Sequence, residues 1–246
     1  MKLLVDTHTH TLSSGHAYST VQELARGASD NGIEMFAVTD HGPVLEGAST
    51  LLHFWNLKVI PEEILGIRVL KGAEANITDY SGKCDIPDAL LKRLDFAIAS
   101  FHDIVIKPST VEEHTGAMEA ILANPFIDAV AHPGNPVFRV DIDRVVKAAA
   151  KYGKLIEINN SSSIVRHGSD VNCLEFARKC KQYGVRIACG SDAHISFDVG
   201  KLDRVEALLK EAGVPEELVL SSSAARFEEY LKERKARYST TVQVTL

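Results

Sequence analysis

Short apolar runs alternate with stretches of helical periodicity along most of the chain. The apolar runs predict seven strands, at residues 2–8, 34–40, 67–74, 95–101, 127–132, 154–159 and 185–191. Helical patterns fall between them, at residues 20–31, 50–55, 61–65, 87–93, 109–123, 141–152, 170–183 and 199–212. Alternating strands and helices predict a parallel sheet, and the continuously apolar strands indicate that both of its faces are covered.

The number of strand–helix units favours an α/β fold in which the sheet closes, or nearly closes, into a barrel. An open doubly wound sheet remains the alternative. No linker, repeat or shift in composition divides the chain, so we expect one domain over residues 1–246. We also expect a hairpin or loop at 75–88, an amphipathic helix at 221–237, and a short strand or frayed end at 238–246.

Polar residues stand at the carboxyl ends of these predicted strands or just beyond them. His8 and His10 end the first strand in "LLVDTHTHTL", and His16 follows in the next loop. The same position on later strands holds His41, Glu74, His102, His132, Asp192 and His194. In a parallel barrel these ends share the face where active sites are built, and in an open sheet they also line the ligand crevice.

Spacing adds a second argument for a shared site. Residues two apart on a strand point the same way and lie about 6.6 Å apart along it. His8 and His10 can therefore reach one ion, and Asp192 and His194 repeat the spacing. Asp6 has the same parity, which predicts a hydrogen bond to a ligand imidazole. The other three histidines, His53, His114 and His167, are expected to be surface or structural residues. His167 could instead line the pocket, because it follows the sixth strand.

The residue types at the strand ends indicate the metal. Imidazole and carboxylate ligands without cysteine suit zinc, with manganese and iron as alternatives. Nine ligands exceed one tetrahedral ion and suit three divalent ions with open positions for water and substrate. Glu74 is the best candidate to bridge two ions. Three divalent ions with two carboxylates would carry a local charge of about +4, which favours a dianionic substrate.

Composition excludes several other classes of protein. The net charge of -6 argues against nucleic-acid binding. No apolar run approaches the length of a membrane span, and the N-terminus does not read as a signal peptide. The four cysteines show no CxxC spacing, which predicts reduced thiols in a cytoplasmic protein. Assembly into an oligomer stays open.

Taken in order, the motifs resemble those of the PHP family, the polymerase and histidinol phosphatase phosphoesterases. The resemblance rests on "DTHTH" (6–10), "VTDHG" (38–42), Glu74, "SFHD" (100–103), "AHP" (131–133) and "GSDAH" (190–194). Length and His16 look most like its YcdX-like stand-alone phosphatases. The resemblance implies a distorted (β/α)7 TIM-like barrel with three ions, usually zinc or manganese. The implied ligand sets are His8, His10, Glu74 and Asp192; Glu74, His102 and His132; and His16, His41 and His194.

The resemblance also implies the chemistry. We expect a metal-dependent phosphatase that hydrolyses the phosphate monoester of a small metabolite with a metal-activated water. Glu74, Asp192 and His194 are the residues expected to take part in catalysis. Arg139 and Arg166 follow the fifth and sixth strands and could clamp the phosphate or the far end of the substrate.

Four rival functions use similar residues. A phosphodiesterase or exonuclease could share the site, but the chain lacks a basic channel. Histidinol phosphate is a second choice of substrate within the family. An amidohydrolase would usually carry a bridging lysine on strand 4 and an eighth barrel strand. A metal store or sensor would need no open coordination positions.

Overall fold

The computed structural model describes residues 1–241, with side chains described to residue 237. Within residues 1–241 there are eight strands: β1 Val5–Thr9, β2 Met35–Val38, β3 Glu63–Ile64, β4 Ile67–Asn76, β5 Phe96–Ser100, β6 Ala129–Val130, β7 Leu155–Asn159 and β8 Ile187–Gly190. The α-helices are α1 Val21–Asp30, α2 Leu51–Asn56, α3 Asp88–Leu91, α4 Val111–Ala123, α5 Ile142–Tyr152, α6 Ser162–Val165, α7 Ser169–Tyr183, α8 Asp203–Ala212 and α9 Ala224–Thr241.

Seven of the strands run parallel and form a nearly closed barrel. The pairing order is β1-β2-β4-β5-β6-β7-β8, with β3 attached outside this path. The ends of the sheet meet where the His10 amide donates to the Ala193 carbonyl oxygen and the Asp192 amide donates to that of His8, both at 2.9 Å. The predicted α/β barrel is therefore confirmed, and the open sheet is excluded.

Alternation along the strands divides the apolar residues into two layers. Met35 and Ala37 on β2 join a cluster inside the barrel, whereas Phe36 and Val38 join the layer between the sheet and the helices. Successive side chains of a strand point to opposite faces, so each strand contributes to both layers. This explains why the strands read as continuous apolar runs in the sequence.

Helix α9 closes the end of the barrel where the strands begin. Phe227 and Tyr230 pack into the interior cluster, with the Phe227 ring 5.4 Å from that of Phe96 at the start of β5. Arg234 follows on the same helix, and its Nε lies 2.7 Å from Asp128 Oδ2 with both side chains buried. The predicted amphipathic helix at 221–237 therefore forms, and it leaves the opposite end of the barrel open.

Two local predictions have different outcomes. The segment 75–88, expected to be a hairpin or a loop, is a hairpin, because β4 runs on to Asn76 and Ile77 pairs with Cys84 in an antiparallel bridge. The helix expected at 61–65 is wrong: β3 pairs antiparallel with the start of β4. Leu65 and Gly66 have φ angles of 56° and 78°, so the chain turns back in a tight hairpin that no α-helix contains.

The C-terminal segment was expected to be a short strand or a frayed end. Residues 238–241 continue α9 instead, so a strand there is wrong, and residues 242–246 lie outside the described residues. None of the helices in the described part of the chain combines the length and apolarity that crossing a membrane needs.

Candidate metal-binding active site

The nine polar residues predicted at the strand ends meet at the open mouth of the barrel. The ring of His10 lies 4.3 Å from those of both His41 and His194, and the His102 ring lies 5.6 Å from that of His132. Most of the nine are buried, including Glu74 with no exposed surface. The structure thus places a dense group of imidazoles and carboxylates where the sequence predicts it.

The carboxylates of Glu74 and Asp192 each bring one oxygen close to the Nε2 atoms of His8 and His10. The Nε2 atoms of His8 and His10 are 3.0 Å apart. Glu74 Oε2 lies 3.2 and 3.5 Å from them, and Asp192 Oδ1 lies 3.5 and 3.3 Å from them. Tetrahedral ligands about 2.0–2.1 Å from a zinc ion are about 3.3 Å from one another. Each carboxylate oxygen is therefore spaced to share an ion with the two imidazoles.

Glu74 turns its two carboxylate oxygens toward different partners. Its Oε2 atom faces His8 and His10, whereas Oε1 lies 2.8 Å from His132 Nε2 and 3.5 Å from His102 Nε2. A carboxylate in this position can bridge two ions. The second predicted group, Glu74, His102 and His132, is therefore brought together around Oε1.

The third predicted group is less sharply separated from the others. His16 Nε2 and His194 Nε2 are 2.9 Å apart, and the His16 ring stacks on that of His41 with centroids at 5.1 Å. His41 Nδ1 also lies 2.8 Å from Glu74 Oε2. Ligand atoms of His10, His41 and His194 fall within 4.8 Å of one another. His41 is thus within reach of more than one possible ion position.

Two buried atoms of the cluster indicate that it accommodates cations. His41 Nδ1 and Glu74 Oε2 are close, yet neither has a hydrogen-bond partner of suitable geometry among the described residues. Buried polar atoms are almost always satisfied, so such a pair needs a further partner. A divalent cation would satisfy both atoms, and the nitrogen and oxygen donors around them suit that group.

The imidazole rings are held from outside the cluster. Nδ1 of His10 bonds to Ser14 Oγ at 2.9 Å, and Nδ1 of His102 bonds to Asn76 Oδ1 at 2.7 Å. Similar bonds fix other rings: His8 Nδ1 to Glu157 Oε1 at 2.7 Å, His16 Nδ1 to the Ser14 carbonyl oxygen at 3.0 Å and His194 Nδ1 to the Asp192 carbonyl oxygen at 2.9 Å. Such bonds fix the tautomer and leave Nε2 to face an ion.

Glu157 is a functional residue that the sequence reasoning missed. Besides holding His8, its Oε2 atom accepts the amide N–H of His132 at 2.6 Å. The signal was a buried carboxylate in the apolar strand "KLIEIN", since buried charges are rare unless they are paired. The role expected of Asp6 is wrong. Asp6 accepts the amide N–H groups of Ser191 at 2.9 Å and Gly200 at 2.8 Å, so it joins backbone segments.

A longer chain of hydrogen bonds supports His10. Ser14 Oγ, the partner of His10, donates to Asp40 Oδ1 at 2.8 Å. Asp40 also accepts from the amide of Thr11 at 2.7 Å, and its Oδ2 lies 3.0 Å from His53 Nε2. His53 is therefore a structural partner of the site, in agreement with its predicted structural role.

The imidazoles of the cluster favour the ionised form of the Glu74 carboxylate. Burial alone would raise the pKa of Glu74, but the neighbouring imidazoles of His8, His41 and His102 hold it well below its usual range. Glu74 is therefore ionised, as a metal ligand must be.

The pKa of Asp192 is also lowered by its charged and hydrogen-bonding neighbours. Burial would raise it, but His8, a hydrogen bond with His10 and the guanidinium of Arg166 together hold it well below its usual range. Arg166 donates to Asp192 Oδ2 from two nitrogens, each at 3.2 Å. Oδ1 of Asp192 is left to face the two imidazoles.

Two buried imidazoles are held in the neutral form that binds metals. Burial lowers the pKa of His132 to about 4, and the charge of Arg166 acts in the same direction. Burial and the neighbouring His41 hold the pKa of His10 well below its ordinary value. Both rings can therefore offer an unprotonated nitrogen at neutral pH.

Unusual backbone conformations direct two of the nine side chains. His132 and Asp192 have φ angles of 33° and 60°, and Leu65 is the third non-glycine residue with positive φ in the described chain. Such conformations cost of order 1–3 kcal/mol and concentrate at functional sites. Gly190, two residues before Asp192, must lack a side chain, because a Cβ there would lie 2.4 Å from the Cβ of His8.

The remaining predicted residues divide into those near the cluster and those away from it. Arg166 reaches the cluster through Asp192. Arg139 is exposed, and its side chain makes no hydrogen bond or ion pair with the nine residues in the described structure. His114 is buried and structural, with Nδ1 2.9 Å from the Arg139 carbonyl oxygen. His167 is exposed and lines a cleft beside the cluster.

Comparison with known proteins agrees with this architecture. The family model of the PHP domain matches residues 6–161. A protein named "Probable phosphatase" from Acetivibrio thermocellus is 62% identical over 237 residues, 96% of this chain and 98% of its own length. Another from Thermoanaerobacter sp. is 51% identical over 239 residues, 96% of this chain and 98% of its own. The chain therefore belongs to the PHP family.

A solved structure shows the same fold at low sequence identity. Histidinol phosphate phosphatase from Lactococcus lactis, complexed with zinc, L-histidinol and phosphate, superposes with a TM-score of 0.62 and 15% identity. The match covers 87% of this chain and 95% of that one. The PHP family is a family of hydrolases, so the chain is an enzyme, and the PHP barrel expected from the motifs is confirmed.

Proposed function

We propose that the chain is a metal-dependent phosphatase that hydrolyses a small phosphate monoester at a site of three divalent ions. The observation that carries the proposal is the cluster of seven imidazoles and two carboxylates at the barrel mouth. Two buried atoms of this cluster, His41 Nδ1 and Glu74 Oε2, lack a hydrogen-bond partner among the described residues. The names of the curated relatives and the phosphate in the L. lactis neighbour support the choice of reaction.

The proposed assignment of residues to ions follows the three ligand sets that the resemblance to the PHP family implies. His8, His10, Glu74 and Asp192 would hold the first ion, and their spacing is the strongest geometric support. Glu74, His102 and His132 would hold the second. His16, His41 and His194 would hold the third. Zinc is the preferred metal because the first set combines nitrogen and oxygen donors at separations that suit zinc ligands, and manganese and iron are alternatives.

The chain's own residues prepare the site for a phosphate dianion. Divalent ions, when bound, supply the Lewis acidity that activates water and neutralises the phosphoryl oxygens. Glu74 and Asp192 are ionised and would hold those ions. Arg166, fixed by Asp192, places a guanidinium at the mouth, where it can donate to a phosphoryl oxygen. His194 has a side chain 30% exposed, which places it at the edge where the substrate enters.

The reaction replaces the ester bond with a bond to water. The water oxygen attacks phosphorus, the phosphorus–oxygen bond to the alcohol breaks, and the products are the alcohol and inorganic phosphate. Because the phosphoryl group needs little covalent help, positioning and charge neutralisation supply most of the catalysis.

The test is an assay of purified protein that has been stripped of metal and reloaded with zinc, manganese or iron. The substrates are a panel of phosphomonoesters that includes histidinol phosphate, with single-stranded DNA at low salt for the exonuclease alternative. We expect phosphomonoester turnover that a chelator abolishes. Glu74→Gln should lose at least about 1000-fold in kcat/KM, because several kcal/mol of charge stabilisation depend on the ions it holds.

Glu217→Gln is the matched control, since Glu217 is exposed and lies away from the mouth. It should keep wild-type activity. A correctly folded protein with no turnover of any phosphomonoester under all three metals would contradict the proposal. Cleavage of the DNA alone would favour the exonuclease alternative.

A further inference from the structure

A cleft of about 460 Å³ opens beside the imidazole cluster. It lies between a 3-10 helix, Pro136–Phe138, and the short helix α6. His102 and Arg166 form part of its walls, and both also reach into the cluster. A molecule bound by its phosphate at the cluster could therefore extend into this cleft.

Apolar side chains form one part of the lining of the cleft. Phe101 forms one wall and is fixed there, because its ring stacks on that of Phe138 at 4.8 Å with an interplanar angle of 11°. Pro136, Val137 and Val165 supply further apolar surface. Val137 is 49% exposed and Val165 is 62% exposed, so both present methyl groups to whatever enters.

Polar side chains also line the cleft, but three of them are already engaged. His102 Nδ1 bonds to Asn76, and Arg166 donates to Asp192. Asn135 Oδ1 accepts the amide N–H of Val137 at 3.1 Å, which fixes the 3-10 helix. Asp103 and His167 also line the cleft, and both are exposed residues. A ligand with many hydroxyl groups would find few partners against the valines, and each buried hydroxyl without a partner costs binding energy.

We propose that this cleft receives the alcohol half of the substrate and selects an alcohol with a compact apolar body over a polyol. The inference rests on the proposed function, since it concerns the leaving group of the same reaction. An aromatic ring or a branched chain fits the volume, which lies within the range of small-ligand pockets. After cleavage the alcohol keeps the ester oxygen, takes up a proton and departs through the cleft, while inorganic phosphate stays at the cluster.

The test compares benzyl phosphate with glycerol 1-phosphate. Both are esters of primary alcohols, so the bond that breaks is of similar reactivity and the alcohol body is the main difference. The variant is the double substitution Val137→Thr with Val165→Thr, which keeps the volume of each side chain and replaces a methyl group with a hydroxyl. Val171→Thr is the matched control, because Val171 is 75% exposed on α7 and does not line this cleft.

We expect the wild-type protein to prefer benzyl phosphate in kcat/KM by about tenfold or more. The double variant should raise KM for benzyl phosphate about tenfold, with kcat and the KM for glycerol 1-phosphate nearly unchanged. The inhibition constant of inorganic phosphate should also stay the same, since phosphate has no alcohol half. The Val171→Thr control should match the wild type in every parameter.

Two results would overturn the inference while leaving the proposed function intact. One is a wild-type preference for glycerol 1-phosphate, or none for either substrate. The other is a double variant whose KM changes equally for both substrates, or for neither. Turnover of no phosphomonoester by the metal-loaded wild type would overturn the proposed function itself, and the inference with it.

Discussion

Glu157 is the side chain that connects two separate parts of the imidazole cluster. Its carboxylate holds the ring of His8 from β1 and the backbone amide of His132 just after β6. Asn159 Nδ2 donates to the same carboxylate at 3.3 Å. A single buried residue on β7 therefore sets the position of two histidines that belong to other strand regions.

Replacing Glu157 with glutamine should weaken metal binding without unfolding the protein. The amide keeps the shape of the carboxylate, but its NH2 group would face a ring N–H or a backbone N–H, and two donors repel. We expect metal affinity to fall about 10- to 100-fold, as is typical for partners of metal-bound histidines. Competition with a chromophoric chelator measures this. An affinity equal to that of the Glu217→Gln control would show that Glu157 does not position the ligands.

His8 carries a proton that metal binding must displace. Burial alone would lower its pKa, but the carboxylates of Glu157, Glu74 and Asp192 outweigh burial and hold the pKa well above its ordinary value. The metal-free protein therefore has a protonated His8 at neutral pH. Because Nε2 must be free to bind an ion, metal affinity should rise with pH until the pKa of His8 is passed.

Calorimetry in buffers of different ionisation enthalpy measures the protons released. At pH 7 we expect about one proton to leave His8 when the first ion binds. His10 and His132, whose pKa values burial lowers, should release none. An observed binding enthalpy that is independent of the buffer would rule out this proton exchange.

The sequence predicted which residues form the cluster, but not the residues that hold their side chains in place. His8 and His10 were recognisable from their spacing, since alternate strand positions share a face. Asp6 was misread because the pairing register of β1 and β2 shifts between Asp6 and Thr9, so simple parity fails there. Glu157 depends on which strands become neighbours, and one strand's sequence does not contain that information.

Helix α9 forms the floor of the barrel and is tied to it by a buried ion pair. Arg234 Nε contacts both oxygens of Asp128, at 2.8 and 2.7 Å, and Tyr230 donates its hydroxyl to Asp128 Oδ1 at 2.8 Å. Asp128 Oδ2 also accepts the amide of Ala97 on β5 at 2.9 Å. The pair thus links the last helix to two neighbouring strand regions.

Substituting Arg234 with methionine should destabilise the fold and spare the chemistry. The change keeps much of the side-chain length but leaves the Asp128 carboxylate buried without its counter-charge. We expect the free energy of unfolding to fall by about 3–5 kcal/mol, the usual cost of breaking a buried pair. Chemical denaturation measures it.

Lys232→Met is the matched control, because Lys232 is exposed on the same helix. Its effect should stay within about 0.5 kcal/mol. At a temperature where Arg234→Met is folded, its kcat should equal that of the wild type, since the pair lies at the opposite end of the barrel from the cluster. Equal stability of the two variants would show that the ion pair does not hold the helix.

Long periodic elements were predictable, and short ones were not. Helix α5 shows apolar residues on one face and is capped by Asp141, whose side chain accepts the amide N–H of Arg144 at 3.0 Å. The segment 61–65 also looked helical, with a proline followed by two glutamates. Five residues are too few to sustain a helix alone, and pairing with the edge of β4 decides their conformation.

The whole barrel is what gathers side chains from distant parts of the sequence. Parallel strands place all their carboxyl ends on one face, so residues from His8 to His194 become neighbours without any long-range sequence signal. This convergence was predictable from topology. The division of the imidazoles among ions was not, because His41 lies close to Glu74, His10 and His16 alike.

Removing the metal should affect stability as well as activity. The two carboxylates and seven imidazoles come together only in the folded state, so only the folded protein binds the ions tightly. Ions at about 1000 times their dissociation constant should therefore stabilise the fold by about 4 kcal/mol. Thermal unfolding before and after chelation measures this, and restored Tm and phosphatase activity on adding back zinc are expected. A Tm that is insensitive to chelation would contradict metal binding at the cluster.

The most direct test of the central claim is anomalous X-ray diffraction from crystals of the metal-loaded protein soaked in phosphate. The account predicts three anomalous peaks at the barrel mouth, one of them among His8, His10, Glu74 and Asp192, with Glu74 between two peaks and phosphate bound to the ions beside Arg166. An active protein whose crystals hold ions elsewhere, or none within this cluster, would contradict the account.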